Sequence, residues 1–138
     1  MIRSLIITLT GLVVILIFPA TVLSQESDEA IAEYNRVLFE SSINPDAGTE
    51  VLIREAYFPP GWKAPRHYHN GNLFIYVIEG EFEVTMEPAG KMVYRRGDAL
   101  QMKPGVTMDA RNPSDTHPLK LSVFQVGKPH DPFVVPVE

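Results

Sequence analysis

Two imidazoles, His67 and His69, have the clearest potential for chemistry in this sequence. Residues two apart in a β-strand face the same side, so we expect both side chains to point into one interior. There they could converge on a single metal ion or a single organic ligand. A Pro-Pro-Gly turn ending at Gly61 precedes the pair, and an apolar run followed by Glu79-Gly80-Glu81 comes after it. The pattern therefore indicates a site built on strands and tight turns.

This stretch resembles the first sequence motif of the cupin superfamily, and a later stretch resembles the second. The positions that fit the spacing of the two motifs are Gly61, His67, His69 and Gly80, then Gly97, Gly105 and Asn112, with Pro104 displaced by one position. The resemblance covers most of residues 51–126. It implies an all-β, cupin-type double-stranded β-helix, which is a jelly-roll barrel, with the site in its interior.

The resemblance also implies a set of four metal ligands, of which this sequence has two. Leu73 stands where the family has a Glu, and Met108 stands where it has a third His. Iron or manganese would lose most of its affinity without those ligands, whereas two imidazoles and a thioether suit copper. Met108 could equally be a flexible filler of the apolar core. Two alternatives therefore stay open. Either one divalent transition metal (Fe, Mn, Ni, Zn or Cu) binds at His67, His69 and Met108, or no metal binds.

Three functions follow from these alternatives. The first is a binding module for a small organic molecule, anionic molecules included, with the two histidines as polar anchors in an apolar pocket. The second is a metal-dependent enzyme of the dioxygenase or isomerase type. The third is a structural or partner-binding barrel without catalysis. The residues that we expect to line the pocket are Leu73, Ile75, Val77, Met102 and Met108, with Arg66 at its mouth to meet an anionic group.

The elements that must position these residues are short strands. Apolar or alternating runs occupy residues 51–58, 73–78, 82–86, 91–95, 99–102, 108–112 and 119–126, and Gly, Pro, Asn and Asp separate them. This regular spacing of short strands and turns predicts an all-β sandwich or barrel, and the short connections favour antiparallel hairpins. We therefore predict a barrel over 51–126 and an extended, Pro-containing C-terminal tail over 127–138.

Residues 25–50 are harder to assign. Ile31, Tyr34, Val37 and Leu38 have the spacing of an amphipathic helix, so we predict a short N-terminal helix from residue 24 to residue 40. Its last part, residues 36–42, fits a first strand equally well, because apolar residues also recur there at two-residue steps.

The first 24 residues are set apart by their composition. Arg3 is their only charge, an apolar run covers residues 5–18, and small residues lead to Ser24. This is typical of a secretory signal peptide cleaved after Ser24, with an uncleaved membrane anchor as the alternative. We therefore expect a secreted or periplasmic protein that has no stable membrane association after cleavage.

Charge and composition narrow the partners. Without Arg3 the mature chain has 11 Lys and Arg against 17 Asp and Glu, a formal charge of −6, which argues against nucleic acid as a partner. There is no Cys, which excludes thiol catalysis and Cys-ligated zinc, and there is no Gly-x-Ser-x-Gly elbow for a serine nucleophile. A small-molecule ligand is the expected partner, and the family resemblance implies a homodimer.

Overall fold

The computed structural model describes residues 32–137, which form ten β-strands in this part of the chain. The strands are β1 Tyr34–Asn44, β2 Thr49–Phe58, β3 His67–Tyr68, β4 Asn72–Glu79, β5 Glu81–Met86, β6 Gly90–Arg95, β7 Ala99–Met102, β8 Met108–Arg111, β9 Leu119–Gly127 and β10 Val135–Pro136. The predicted all-β class is thus confirmed, and every predicted strand of the barrel is present.

Two five-stranded sheets make the barrel. Sheet A has the order β1-β2-β9-β4-β7 and sheet B the order β10-β3-β8-β5-β6. Neighbouring strands pair antiparallel throughout both sheets. Long crossovers within each sheet bring strands from distant parts of the chain side by side, which is the double-stranded β-helix that the sequence predicts.

Alternation along the strands decides which side chains form the core. On β4, Leu73, Ile75 and Val77 are buried, whereas Phe74 and Tyr76 between them are exposed. A side-chain period of two turns one set toward the facing sheet and the other toward solvent. The core members are Ala56, Phe58, Leu73, Ile75, Val77, Phe82, Val84, Leu100, Met102, Met108, Ala110, Leu119, Leu121 and Val123.

The N-terminal region departs from the helical prediction. Residues 34–44 form the edge strand β1, so the strand alternative is correct for residues 36–42 and the helix is wrong for residues 34–40. Antiparallel pairing with β2 gives these backbone groups partners outside their own segment. A register shift between Val37 and Phe39 takes Leu38 out of the ladder, so the apolar spacing there reflects a β-bulge and not a helical face. Residues 24–31 lie outside the described part.

Two residues, Gly80 and Asn112, allow close packing at the end of the barrel near β9. Gly80, with φ of +81°, turns the chain from β4 into β5, and a Cβ at this position would lie 2.3 Å from the Pro118 carbonyl oxygen. The buried side-chain amide of Asn112 donates to the carbonyls of Pro59 (3.1 Å) and His117 (2.9 Å), which ties the loop before β9 to the end of β2. Both residues belong to the motif positions that the sequence singled out.

The C-terminal residues return to the barrel wall. β10 pairs with β3, with Val135 opposite Tyr68 and Pro136 opposite His67, and the Val137 amide donates to the Arg66 carbonyl (3.0 Å). We call residues 128–137 the C-terminal strap. Among residues 32–137, no helix is long and apolar enough to cross a membrane.

Candidate functional site

A cavity of about 230 Å³ lies between the two sheets, and its walls are mainly apolar. Its lining residues are Glu33, Asn35, Ala56, Phe58, Trp62, Ala64, Pro65, His67, His69, Leu73, Ile75, Phe82, Met102, Met108, Ala110, Leu121, Val123, Phe133 and Val134. Inward-facing residues of both sheets contribute because the barrel interior is not completely filled by side chains. A largely apolar cavity with a few convergent polar groups is the usual form of a small-molecule site.

The two histidines meet in this cavity as the H-x-H spacing predicts. His67 lies on β3 and His69 directly follows that strand, and each is only 4% exposed. Their ring centroids are 4.9 Å apart, with the ring planes at 85° to each other. Two imidazoles are thus held edge to face in an otherwise apolar wall, where they are available to one common ligand.

Backbone carbonyls fix the orientation of both rings. The Nδ1 atom of His67 lies 2.7 Å from the Pro65 carbonyl oxygen, and the Nδ1 atom of His69 is in close contact with the Phe133 carbonyl oxygen. A carbonyl oxygen only accepts hydrogen bonds, so each Nδ1 carries the proton and donates it. In the neutral imidazole this leaves Nε2 with a free lone pair.

Burial keeps His69 neutral. Its desolvation lowers the pKa from the usual 6.5 to about 4, the Phe133 carbonyl opposes that shift, and the neighbouring His67 adds to it. Near neutral pH the Nε2 atom of His69 is therefore a hydrogen-bond acceptor or a metal ligand, and not a cation that could attract an anion.

The structure places the other predicted site residues in two groups. Leu73, Ile75, Met102 and Met108 line the cavity with the histidines; Leu73 pairs with Met102 across β4 and β7, and His67 pairs with Met108 across β3 and β8. Val77 is fully buried but belongs to the core beyond the cavity. Arg66 also lies outside the lining, at the surface, where its guanidinium pairs with Glu87.

Aromatic and polar residues line the cavity near the start of β1. Trp62 stacks on Phe58 with ring centroids 3.8 Å apart, and its indole Nε1 donates to Glu33 (2.6 Å). Asn35, the second residue of β1, also lines the cavity. The contributions of Glu33 and Asn35 depend on the position of β1, which the helical prediction missed.

Phe133 is the main site residue that sequence reasoning did not find. Its carbonyl receives the His69 proton, and its ring packs against the His69 ring with centroids 4.9 Å apart. The guanidinium of Arg54 also lies 4.6 Å from the Phe133 ring centroid, a cation–π contact. The available signal was a single Phe in a tail whose other residues are Val, Pro, Gly and polar or charged residues.

The metal that the family resemblance implies can be tested against these donors. Leu73, at the position of the family carboxylate, is fully buried and supplies no ligand atom. Within residues 32–137, no group of three or more His, Asp or Glu side chains could hold an ion. Iron and manganese prefer oxygen ligands beside imidazole, so the residues do not fit those ions; two imidazoles and the Met108 thioether fit copper better.

Comparisons with known proteins agree with this architecture. The family model described as "Cupin domain" matches residues 54–126. An uncharacterized protein of Methanocaldococcus jannaschii is 27% identical over 103 residues, which cover 74% of this chain and 86% of that protein. A cupin superfamily protein of Desulfitobacterium hafniense superposes with a TM-score of 0.57 at 14% identity, over 70% of this chain and 79% of the other.

An enzyme is also among the similar structures. The DMSP lyase of Ruegeria pomeroyi superposes with a TM-score of 0.56 at 22% identity, over 63% of this chain and 43% of the lyase. At this identity the likeness concerns the fold.

Proposed function

This chain belongs to the cupin domain family, and from that premise we propose that its barrel binds a small organic molecule, with His67 and His69 as the polar anchors of the pocket. One observation carries the proposal. Two buried imidazoles, oriented by backbone carbonyls, face a cavity of about 230 Å³ whose other deep lining residues are apolar. Apolar cavities of this order accept molecules of about the size of benzene.

The walls support a ligand with an apolar body. Ala56 and Ala110 occupy positions where larger side chains would fill the space, so the cavity results from small residues on β2 and β8. Phe58, Phe82 and Phe133 offer aromatic surface around it. Such a site binds through burial of apolar area, while the polar anchors set the orientation of the ligand.

A metal-dependent enzyme is the second candidate, and one observation favours it. Each histidine donates Nδ1–H to a backbone carbonyl, which is the arrangement that typically orients a metal-binding imidazole through Nε2. The missing carboxylate weighs against iron or manganese and hence against the oxygenase chemistry that these ions support. A purely structural barrel would bind neither a small molecule nor a metal.

We also propose that the protein is exported. The charge of Arg3, the apolar run over residues 5–18 and the small residues up to Ser24 support a cleaved signal peptide. Expression of the full sequence in a bacterial host should release a mature protein whose first residue is Gln25. A chain that stays in the membrane fraction with its original N-terminus would contradict the proposal.

We further propose a homodimer formed by the outer face of sheet A. By strand register, Phe39, Ile53, Phe124 and Phe74 follow one another across β1, β2, β9 and β4. Three of the four are more than 40% exposed, and the row carries no charge. An uncharged apolar row suits an isologous contact, in which the same patch meets itself without charge repulsion. Light scattering should give twice the chain mass for the wild type and the single mass for Phe74→Glu; a wild-type monomer would contradict the proposal.

The binding function is tested through the single tryptophan. Trp62 lines the cavity, so phenol entering the site should change its fluorescence saturably. Ala110→Leu adds volume inside the cavity and should abolish the saturable change, whereas Ala99→Leu makes the same substitution at an exposed position of β7 and should leave it intact. Equal responses from both variants, or no saturable response from the wild type, would contradict the proposal.

A further inference from the structure

The buried polar side chains of the cavity are two imidazoles. Glu33 and Asn35, near the start of β1, are exposed lining residues, whereas His67 and His69 are the buried polar residues of the lining. Anything that enters far enough to reach the apolar core must therefore make its polar contacts with the two imidazoles.

Both imidazoles have their donor atom occupied by the protein. The Pro65 carbonyl takes the Nδ1 proton of His67 and the Phe133 carbonyl takes that of His69. Since neither carbonyl can donate, the opposite tautomer would place two acceptors against each other at both positions. In the neutral rings, Nε2 is consequently the atom that offers hydrogen bonding to a ligand, and it offers a lone pair.

Two Nε2 atoms that accept hydrogen bonds discriminate between ligands of similar shape. A hydroxyl or amine proton satisfies an acceptor, an ether oxygen leaves it unsatisfied, and a carboxylate sets negative charge against it in an apolar site. Leaving a buried polar group without a partner lowers affinity by about tenfold or more. Within residues 32–137, no Arg or Lys lines the cavity: Arg66 pairs with Glu87, and Arg54 contacts the Phe133 ring without being a lining residue.

We propose that this pocket selects neutral molecules that donate a hydrogen bond, and that it rejects carboxylates. The inference rests on the proposed binding function and names the ligand class for the same site. It also replaces the anionic ligand that Arg66 suggested in the sequence, because the guanidinium lies outside the cavity lining.

The C-terminal strap takes part in this selection through Phe133, a positioning residue. The strap is held by the β10–β3 pairing and by the hydrogen bond from Val137 to Arg66. The Phe133 ring contacts both Arg54 and His69, and its carbonyl lies beside His69 Nδ1. The chain end thus determines which nitrogen of His69 faces the ligand.

Calorimetric titration with three probes of similar size tests the proposal. Phenol is a donor, anisole carries an ether oxygen in place of the hydroxyl, and benzoate is an anion. At neutral pH we expect phenol to bind about tenfold or more tightly than anisole, with benzoate the weakest of the three. Benzoate or anisole binding as tightly as phenol would overturn the selectivity while leaving the binding function intact. If none of the three binds, the binding function itself fails.

A variant separates selection from folding. In His69→Leu one of the two acceptors is lost but the apolar cavity stays, so anisole should still bind and the preference for phenol over anisole should fall below that of the wild type. Retained anisole binding demonstrates that the barrel is folded. An unchanged tenfold preference in this variant would overturn the assigned role of His69.

Discussion

His67 on β3 and Met108 on β8 are direct partners in the antiparallel pairing of sheet B, and both side chains are buried in the wall of the same cavity. Met108 occupies the position at which the cupin motif has a third imidazole. A thioether is a soft, weakly accepting group, so it adds apolar surface where a histidine would add a ligand for a hard ion.

This pairing predicts the metal preference of the protein. Purified without chelator, the protein should retain iron and manganese well below one atom per chain, because a buried leucine and a thioether replace two ligands. Copper(I) should bind more tightly than either ion, and Met108→Leu should weaken it. Near-stoichiometric iron or manganese, lost from a His67→Ala/His69→Ala variant measured alongside, would contradict the prediction.

Burial of His69 predicts a loss of stability on mild acidification. Its pKa of about 4 in the folded state lies below the value of 6.5 expected on unfolding, so the unfolded chain binds the proton more readily. The contribution is complete above pH 6.5 and is lost as the pH falls toward 4, with a slope of at most about 1.4 kcal/mol per pH unit. Urea unfolding across this range should show a shallower slope for His69→Leu than for the wild type. Identical slopes would contradict the assignment.

The contribution of Glu83 to the free energy of unfolding should be lost in a lower pH range than that of His69. Arg111 binds both of its carboxylate oxygens, at 2.7 and 3.0 Å, and Lys91 lies 2.9 Å away. These cations lower the pKa of Glu83 to about 2, so its stabilisation is present above the usual value of 4.5 and is lost as the pH falls toward 2.

Replacement of this carboxylate should therefore cost stability only while it is ionised. At neutral pH, Glu83→Gln should lower the free energy of unfolding by about 1 kcal/mol, because this pair is bidentate but lies near the surface. The difference from the wild type should vanish as the carboxyl becomes protonated. A difference that persists unchanged in acid would indicate that packing, and not charge, is responsible.

The turn at Gly80 provides a stability test with a matched control. Gly80 and Gly90 have φ of +81° and +85°, but an added Cβ would meet the Pro118 carbonyl oxygen at 2.3 Å only at Gly80 and would meet nothing at Gly90. Both alanine variants share the strain of positive φ, so the difference measures the clash. We expect Gly80→Ala to be more destabilising than Gly90→Ala by about 1 kcal/mol or more in thermal unfolding. Equal losses would show that the turn relaxes.

Much of the fold could be predicted from local patterns. The alternation of buried and exposed residues on β4, and the turns that bound each strand, appear directly in the sequence. The inward direction of His67 and His69 followed from their two-residue spacing. These features depend on neighbours along the chain.

What the sequence did not reveal depends on contacts between distant segments. The β-bulge at Leu38 produces an apolar spacing like that of an amphipathic helix. Pairing with β2 is what makes this segment a strand. Phe133 reaches His69 across 64 positions of sequence, and Arg66 pairs at the surface with Glu87, in the turn after β5. Such partners follow from topology, which periodicity does not encode.

The most direct test of the central claim is a calorimetric titration of phenol into the wild-type protein beside a His67→Leu/His69→Leu variant, with anisole as the reference for a folded, open cavity. We predict one phenol site per chain in the wild type, a weakening of about tenfold or more in the variant, and anisole binding in both. Phenol binding that is unaffected by loss of both imidazoles, or no phenol binding to the wild type at all, would contradict the account of a small-molecule pocket anchored by His67 and His69.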